Sequence, residues 1–297
     1  MVSPGILLVD KPAGLTSHDV VARTRRAFGT RKVGHAGTLD PMATGLLVIG
    51  IDAATRLLTY IVGADKTYEA TIRLGQSTST DDADGEIRAR APRVVLAELS
   101  EQRIADGIRS LSGSISQVPS SVSAIKVDGK RAYDRVRAGE EVVLAAREVV
   151  VSRFDLLARR DGDGVIDLDV VVDCSSGTYI RSLARDLGAD LGVGGHLTAL
   201  RRSRVGDFDV ADAVGIDDLA AAVPLTPAHA AARVMQSLRV SAGEARDLRH
   251  GKRLAGQATR LDDRFAAAID EDGMLVGVVE KRAGDLKSAM NMPEDAR

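Results

Sequence analysis

Apolar positions recur along the chain in two periods, and the elements follow from them. Ile6–Val9 is a short apolar run that predicts a strand, closed by the turn Lys11-Pro-Ala-Gly14. Val20, Val21, Thr24, Ala27 and Phe28 fall at helical spacing and predict the buried face of a helix ending near Phe28. Thr16 or Ser17 caps it, and Asp19 stands three residues after Thr16 in capping-box spacing. Leu46–Ile51 predicts a strand, followed by a short helix to about Ile61. Tyr68, Ala70, Ile72 and Leu74 alternate with Glu69, Thr71 and Arg73, the mark of a half-buried strand whose first inward residue is a tyrosine.

Residues 76–92 read as a polar loop with room for a short hairpin, and 95–110 as a helix with Leu99, Ile104, Ile108 and Leu111 inward. The Ser-, Gly- and Lys/Arg-rich stretch 112–145, with a short helix near 131–138, predicts a mobile segment ordered by a partner. Val149–Leu157 and Val165–Asp173 predict two strands joined at Asp161-Gly-Asp-Gly164. A helix follows from about Thr178 to Leu191, closed by Gly192, with Arg181 and Arg185 off its apolar face. Gly195–Phe208 is a basic, strand-like run. Ala and Pro dominate 210–235, which predicts a helical junction. Beyond it Leu238–Val240, Leu261–Ile269 and Met274–Glu280 predict a small β-rich module, of a size that needs to dock to be stable.

Composition narrows the class. The 297 residues, 44% hydrophobic and 28% charged, are those of a globular chain of about two domains. No apolar run reaches the roughly 18 residues of a membrane span, and the N-terminus lacks a signal peptide's charged start and apolar core. The expectation is a cytoplasmic monomer. A single cysteine, Cys174, excludes an internal disulfide and a cysteine metal cluster, and the five histidines have no ligand-like spacing. The net charge of −2 hides a segregation: Val20–Gly34 carries five basic residues and no acidic one. Further basic groups occur at 126–137, 201–204 and 246–253. Each run alone is commonly a solvated face; four together point to a polyanion partner.

One stretch, residues 33–49, begins with polar or small residues hard to place in any regular element and ends in an apolar run that reads as a buried strand. Gly34, Gly37 and Gly45 permit positive φ or close backbone approach, and Pro41 biases Asp40 away from the helical region. An ordinary Asx-type turn would explain it equally well from spacing alone. Asp40, Tyr68 and Arg181 nevertheless combine on chemical grounds. An arginine fork keeps a carboxylate nucleophile ionised and oriented, and a tyrosine can stack on a planar base while its hydroxyl handles a proton. A histidine near them, His35, suits a nucleotide contact or the gap left by an extruded base.

The motifs settle the choice by resemblance. Gly34-His35-Ala-Gly37-Thr-Leu-Asp40-Pro-Met-Ala-Thr-Gly45 resembles the signature loop of the TruB family of tRNA pseudouridine synthases. Asp10-Lys11-Pro12-x-Gly14, Lys66-x-Tyr68, Gly177-Thr-Tyr179-Ile-Arg181 and Leu200-Arg201-Arg202 resemble that family's other motifs, in family order. Ser123-Ala-x-Lys126-x-x-Gly129-x-Arg131-Ala-Tyr133 resembles its RNA-gripping insertion.

The resemblance implies an α/β (α+β type) pseudouridine synthase fold with a mixed, mainly antiparallel central sheet. It implies a catalytic domain over 1–233, including the insertion at 112–145 and the junction at 210–233, and a PUA-like RNA-binding domain over 234–297. It implies isomerisation of uridine 55 in the TΨC loop of tRNA, with Asp40 as nucleophile, Tyr68 stacking on uracil and aiding C5 deprotonation, and Arg181 paired to Asp40. Lys11, His35, Tyr179, Leu200, Lys126 and Arg131 are then substrate-binding residues. Neither cofactor, metal nor protein partner is expected, since the reaction is redox-neutral and needs no external acceptor. Three other readings compete: a guide-RNA-dependent synthase, an RNA-folding module, and a sugar glycosidase. The last fits poorly with no Trp and 3% aromatic residues.

Overall fold

The computed structural model describes residues 2–120 and 144–294, with the backbone alone at 126–127 and 130–131. In chain order the elements begin with β1 (Gly5–Lys11), α1 (Ser17–Phe28), β2 (Val33–His35) and β3 (Thr44–Ile51). A 3-10 turn at Asp52–Leu57 runs into α2 (Leu58–Ile61), and β4 (Lys66–Leu74), β5 (Gln76–Thr78) and β6 (Ile87–Arg90) follow. Then come α3 (Arg93–Ala97), α4 (Glu101–Ser110), β7 (Gly113–Gln117), β8 (Lys126–Val127), β9 (Lys130–Arg131) and β10 (Arg147–Gly162). The rest comprises β11 (Val165–Cys174), α5 (Ile180–Asp190), β12 (Gly195–Val205), β13 (Phe208–Asp209), β14 (Val214–Gly215), α6 (Pro227–Ala232) and β15 (Gln236–Arg239). The chain closes with α7 (Ala242–Arg249), β16 (Phe265–Ile269), β17 (Leu275–Arg282) and β18 (Asp285–Asn291). Mixed sheets with helices and a β-rich C-terminal part agree with the expected fold class.

The contacts divide the chain into two compact units that do not follow it linearly. The first comprises Met1–Leu39, Gly45–Ala64 and Val205–Arg297; the second, Asp40–Thr44 and Asp65–Arg204.

In the first unit β1 pairs antiparallel with β3 from Gly5↔Ile51 to Lys11↔Gly45 and parallel with β14. Helix α1 starts as predicted: Thr16 and Asp19 complete a reciprocal capping box, and Gly29 ends the helix at φ 64°. Its buried residues are Ser17, Val20, Val21 and Thr24, so the stripe stops a turn early: Ala27 is exposed and Phe28 half-buried. The C-terminal sheet, in the order β15-β16-β17-β18, is buried on both faces. Ala267 and Val278 join the core of Ile6, Leu46, Leu57 and Phe208, while Ala266, Ala268, Val276 and Val279 pack with Leu248 of α7. That two-sided burial is how so small a module is stabilised. Helix α7 and strand β18 escaped the sequence reading, because α7 has only Ala245 and Leu248 buried and β18 is mostly polar.

In the second unit the strand order is β12-β4-β11-β10-β7. β4 and β11 pair antiparallel over nine residues, from Lys66↔Cys174 to Leu74↔Ile166. Their inward residues Ala70, Ile72, Leu168 and Val172 are buried as the alternation predicts. The outward Asp167, Asp169 and Asp173 accept from Arg73, Thr71 and Thr67 across the ladder. The predicted helix at 95–110 is two helices, because the Ser100 hydroxyl accepts from Arg103 N–H and starts α4 afresh. Residues 113–117, expected within a mobile segment, form edge strand β7 on β10. Residues 121–143 of that insertion, including the expected helix at 131–138, lie outside the described residues save the backbone of β8 and β9.

Helix α5 sits directly on the start of β12. A Cβ on Gly188 would lie 2.1 Å from Gly195 N, and one on Gly195 2.4 Å from Ala184 O. Only glycine at both positions permits this approach, which sets the depth at which α5 delivers its first turn.

Candidate active site

Asp40 belongs to the five-residue segment of the second unit that interrupts the first. Gly37 and Gly45 on either side have φ of 88° and 99°, conformations that glycine adopts without strain. Asp40 O accepts from Ala43 N–H at 3.1 Å, which closes a tight turn around Pro41. Just before it, Ser17 Oγ donates to Leu39 O and accepts from Leu39 N–H at 3.1 and 2.9 Å, so the approach to Asp40 is pinned. The third glycine, Gly34, acts by close approach: a Cβ there would meet Leu58 at 3.1 Å.

Arg181 stands in the first turn of α5 and is buried, not outward: its side chain is 4% exposed. Its Nε is 2.9 Å from Asp40 Oδ2, and that carboxylate is 36% exposed, so it is reachable while its partner is not. Arg181 Nη1 donates to Thr80 O at 2.8 Å and Ser120 Oγ at 3.3 Å, and lies 3.3 Å from Asp82 Oδ2. Three acceptors therefore hold one arm of the fork while another nitrogen stands in ion-pair contact with Asp40 and orients the carboxylate.

Asp82 escaped the sequence reading. It lies in Thr80-Asp-Asp-Ala-Asp84, which reads as a solvated acidic loop, yet Asp82 is 4% exposed. Burial pushes its carboxyl above the ordinary value, opposed by hydrogen bonding from Thr80 and by Arg181. The loop is tied down by the bridge Asp82↔Leu197 and by Leu197 N–H donating to Asp81 O at 3.0 Å. Asp81, just before Asp82, takes the left-handed conformation at φ 61°.

Tyr68 is buried on β4 as the alternation predicts. Burial pushes its phenol up; the charge of Arg202 and a hydrogen bond from Arg202 oppose the rise, and the negative charge of Asp40 adds to it. Leu200 is buried on β12, and its carbonyl accepts from Thr44 Oγ1 at 3.5 Å. Tyr179 is the residue before α5, held by Gln117, whose amide oxygen accepts Tyr179 N–H at 2.8 Å and whose NH₂ donates to Tyr179 O at 3.1 Å. Asp40, Tyr68, Arg181, Tyr179 and Leu200 thus share one unit.

Lys11 and His35 belong to the other unit. Lys11 is fully buried, its ammonium donating to Pro12 O and Leu15 O at 2.9 and 2.8 Å. His35 stands edge-on to His18 at 5.6 Å between ring centres. Lys126 and Arg131 face each other as partners in the β8–β9 pair; their side chains lie outside the described residues. Among the described residues no cluster of histidine, cysteine or carboxylate side chains is arranged to hold a metal ion. No helix among them is long and apolar enough to cross a membrane.

A carboxylate presented at the end of a pinned loop, clamped by a buried arginine beside a buried tyrosine, can attack an electrophilic carbon and then manage a proton. Three family models cover the chain in sequence. The TruB family pseudouridylate synthase N-terminal domain matches residues 25–180, the tRNA pseudouridylate synthase B C-terminal domain 181–239, and the tRNA pseudouridine synthase II C-terminal region 235–293. A protein of Leifsonia xyli subsp. xyli named tRNA pseudouridine synthase B is 60% identical, covering 99% of this chain and 98% of its own. One of the same name from Thermobifida fusca is 54% identical over 95% and 96%. Among solved structures, a chain in an H/ACA RNP bound to a substrate RNA containing 2'-deoxyuridine has the same fold, with a TM-score of 0.71 at 21% identity, over 98% of this chain and 86% of that one. On these likenesses and on the motifs around Asp40, Tyr68 and Arg181, the chain belongs to the TruB family of pseudouridylate synthases.

Proposed function

We propose that this chain isomerises uridine 55 in the TΨC loop of tRNA to pseudouridine. The observation that carries the site assignment is the 2.9 Å approach of Arg181 Nε to the accessible carboxylate of Asp40. In this reading the target uridine is extruded from the RNA, at a cost of a few kcal/mol. Asp40, oriented by Arg181, starts cleavage of the N1–C1′ bond. The freed uracil turns against the Tyr68 ring and rejoins C1′ through C5. C5 then gives up its proton to the Tyr68 oxygen, the phenol's own proton having passed toward N1, so the overall reaction is an isomerisation with no net gain or loss of protons or electrons. Phosphate contacts from the basic segments at 20–34 and 126–137 offset the cost of extrusion. Lys11, His35, Tyr179 and Leu200 bind the substrate RNA, and residues 234–297 form an RNA-binding module. The enzyme acts as a cytoplasmic monomer without cofactor, guide RNA or protein partner.

The test is to incubate unmodified tRNA with the purified protein in EDTA and measure pseudouridine at position 55. Robust formation is expected. No product on a tRNA that a control synthase modifies would sink the reading, and dependence on added guide RNA or protein would overturn its stand-alone form.

A further inference from the structure

Two cations are buried side by side within the second unit. Arg202 on β12 is 1% exposed and Lys66 on β4 5% exposed, and the charge of Arg202, after burial itself, helps draw Lys66 down to about 8. Bringing one cation near another in a dry interior is costly, and perturbed groups of this kind cluster at functional sites. The backbone shows why they meet. β12 lies beside β4, with Thr198 Oγ1 donating to Thr71 O and Ser203 Oγ to Thr67 O, each at 3.4 Å. The strands run in opposite directions between those bonds, which brings Arg202 level with Tyr68. The guanidinium donates to the phenol oxygen and works against the rise that burial imposes on the phenol.

We propose that Arg202 is a positioning residue for Tyr68, donating to the phenol oxygen so that its remaining lone pair faces the uracil as the acceptor of the C5 proton. The inference rests on the pseudouridine synthase reading and assigns a role to a side chain outside the Asp40–Arg181 pair. A guanidinium donor fixed on the phenol oxygen orients its lone pairs and favours the negative charge that develops as the oxygen approaches its proton-accepting form. In the balanced step the phenol's own proton passes toward N1 and leaves a phenolate that Arg202 stabilises, the C5 proton moves to that oxygen and restores the phenol, the C5–H electron pair restores the uracil ring, and Arg202 keeps all its protons.

The experiment is a double-mutant cycle on the full chain, with Arg202→Met, Tyr68→Phe and the pair, read by single-turnover pseudouridine formation across pH alongside tRNA affinity and melting temperature. Arg202→Met is expected to slow formation by roughly 10- to 100-fold, the range for losing a charge-assisted hydrogen bond, with tRNA affinity unchanged within about twofold. The rise of rate with pH should move to higher pH in Arg202→Met, and Arg202→Lys should recover part of both losses. In the Tyr68→Phe background, where no oxygen remains to hold, Arg202→Met should add less than about twofold. A full additional loss in that background, or a pH profile that does not move, overturns the assignment. If Arg202→Met does not fold, the pH profile of Arg202→Lys decides by the same criterion. A wild-type protein that makes no pseudouridine sinks the functional reading itself, whereas an active wild type beside an equally active Arg202→Met sinks only this inference.

Discussion

Asp82→Asn separates catalysis from stability more cleanly than any other substitution at this site. The amide keeps the size and planarity of the side chain, and Thr80 Oγ1 can still donate to its oxygen. What is lost is one charged acceptor 3.3 Å from Arg181 Nη1, leaving Thr80 O and Ser120 Oγ on that nitrogen and Asp40 on Nε. A hydrogen bond to a charged group contributes about 1.5–3 kcal/mol. If that energy goes into aiming Arg181 at Asp40, its loss slows the chemical step by roughly 10- to 150-fold. The stability effect has the opposite sign. Asp82's carboxyl is raised in the fold, so its contribution to stability is greatest below the ordinary carboxylate value and falls as pH rises through the raised one. At neutral pH Asp82→Asn should leave the melting temperature unchanged or slightly higher. The assay is single-turnover pseudouridine formation on a tRNA transcript at saturating enzyme, with a thermal melt of the same preparation. Activity within about threefold of wild type, or a loss that tracks a fall in melting temperature, would refute the clamp.

Asp40→Asn should abolish turnover while leaving the tRNA dissociation constant within a few-fold, measured by filter binding; normal turnover would remove Asp40 from its role. Lys66→Met should stabilise the fold by roughly 1–3 kcal/mol below the folded pKa of about 8, where the buried ammonium is charged in both states. The gain should shrink as pH rises toward 10.5, which denaturant titrations at several pH values will show. Gly188→Ala puts a Cβ 2.1 Å from backbone at Gly195 and should cost about 1–3 kcal/mol or more by chemical denaturation, lowering activity through α5. Affinity for tRNA should fall steeply between low and moderate salt; a flat response would contradict the phosphate contacts assigned to the basic segments.

The elements that carry the chemistry were legible where a local rule governs them. Period-two alternation placed Tyr68 inward, a capping box placed the start of α1, and the glycines around Asp40 marked a loop built to aim a side chain. The ion pair between Asp40 and Arg181 was legible by chemistry and family motif, but the burial of Arg181 was not. Helical periodicity sets a residue's face; it does not say that the loop carrying Thr80 and Asp82 covers the first turn of α5. Asp82 was hidden for the same reason, since four acidic residues in six positions look solvated until a bridge to Leu197 folds one inward. The motif Leu200-Arg201-Arg202 gives Arg202 no role, because its hydrogen bond to Tyr68 depends on the lateral order of strands, which no single segment encodes. The split at Ser100 and the edge strand at 113–117 were missed through weak local signals: one side-chain cap, and a strand with only Gln117 buried.

The wide separation of the clamp along the chain has a consequence during synthesis. Arg181 reaches Thr80 across 101 residues, and Thr44 reaches the Leu200 carbonyl across 156. At about 5–20 residues per second, a ribosome needs roughly 5–20 s after making Thr80 before it makes Arg181. Through that interval the nascent chain carries its nucleophilic loop and acidic hairpin without the cation that organises them. A chain stalled or cut before residue 181 would therefore carry Asp40 but have no clamp, and completeness of synthesis becomes a condition for activity.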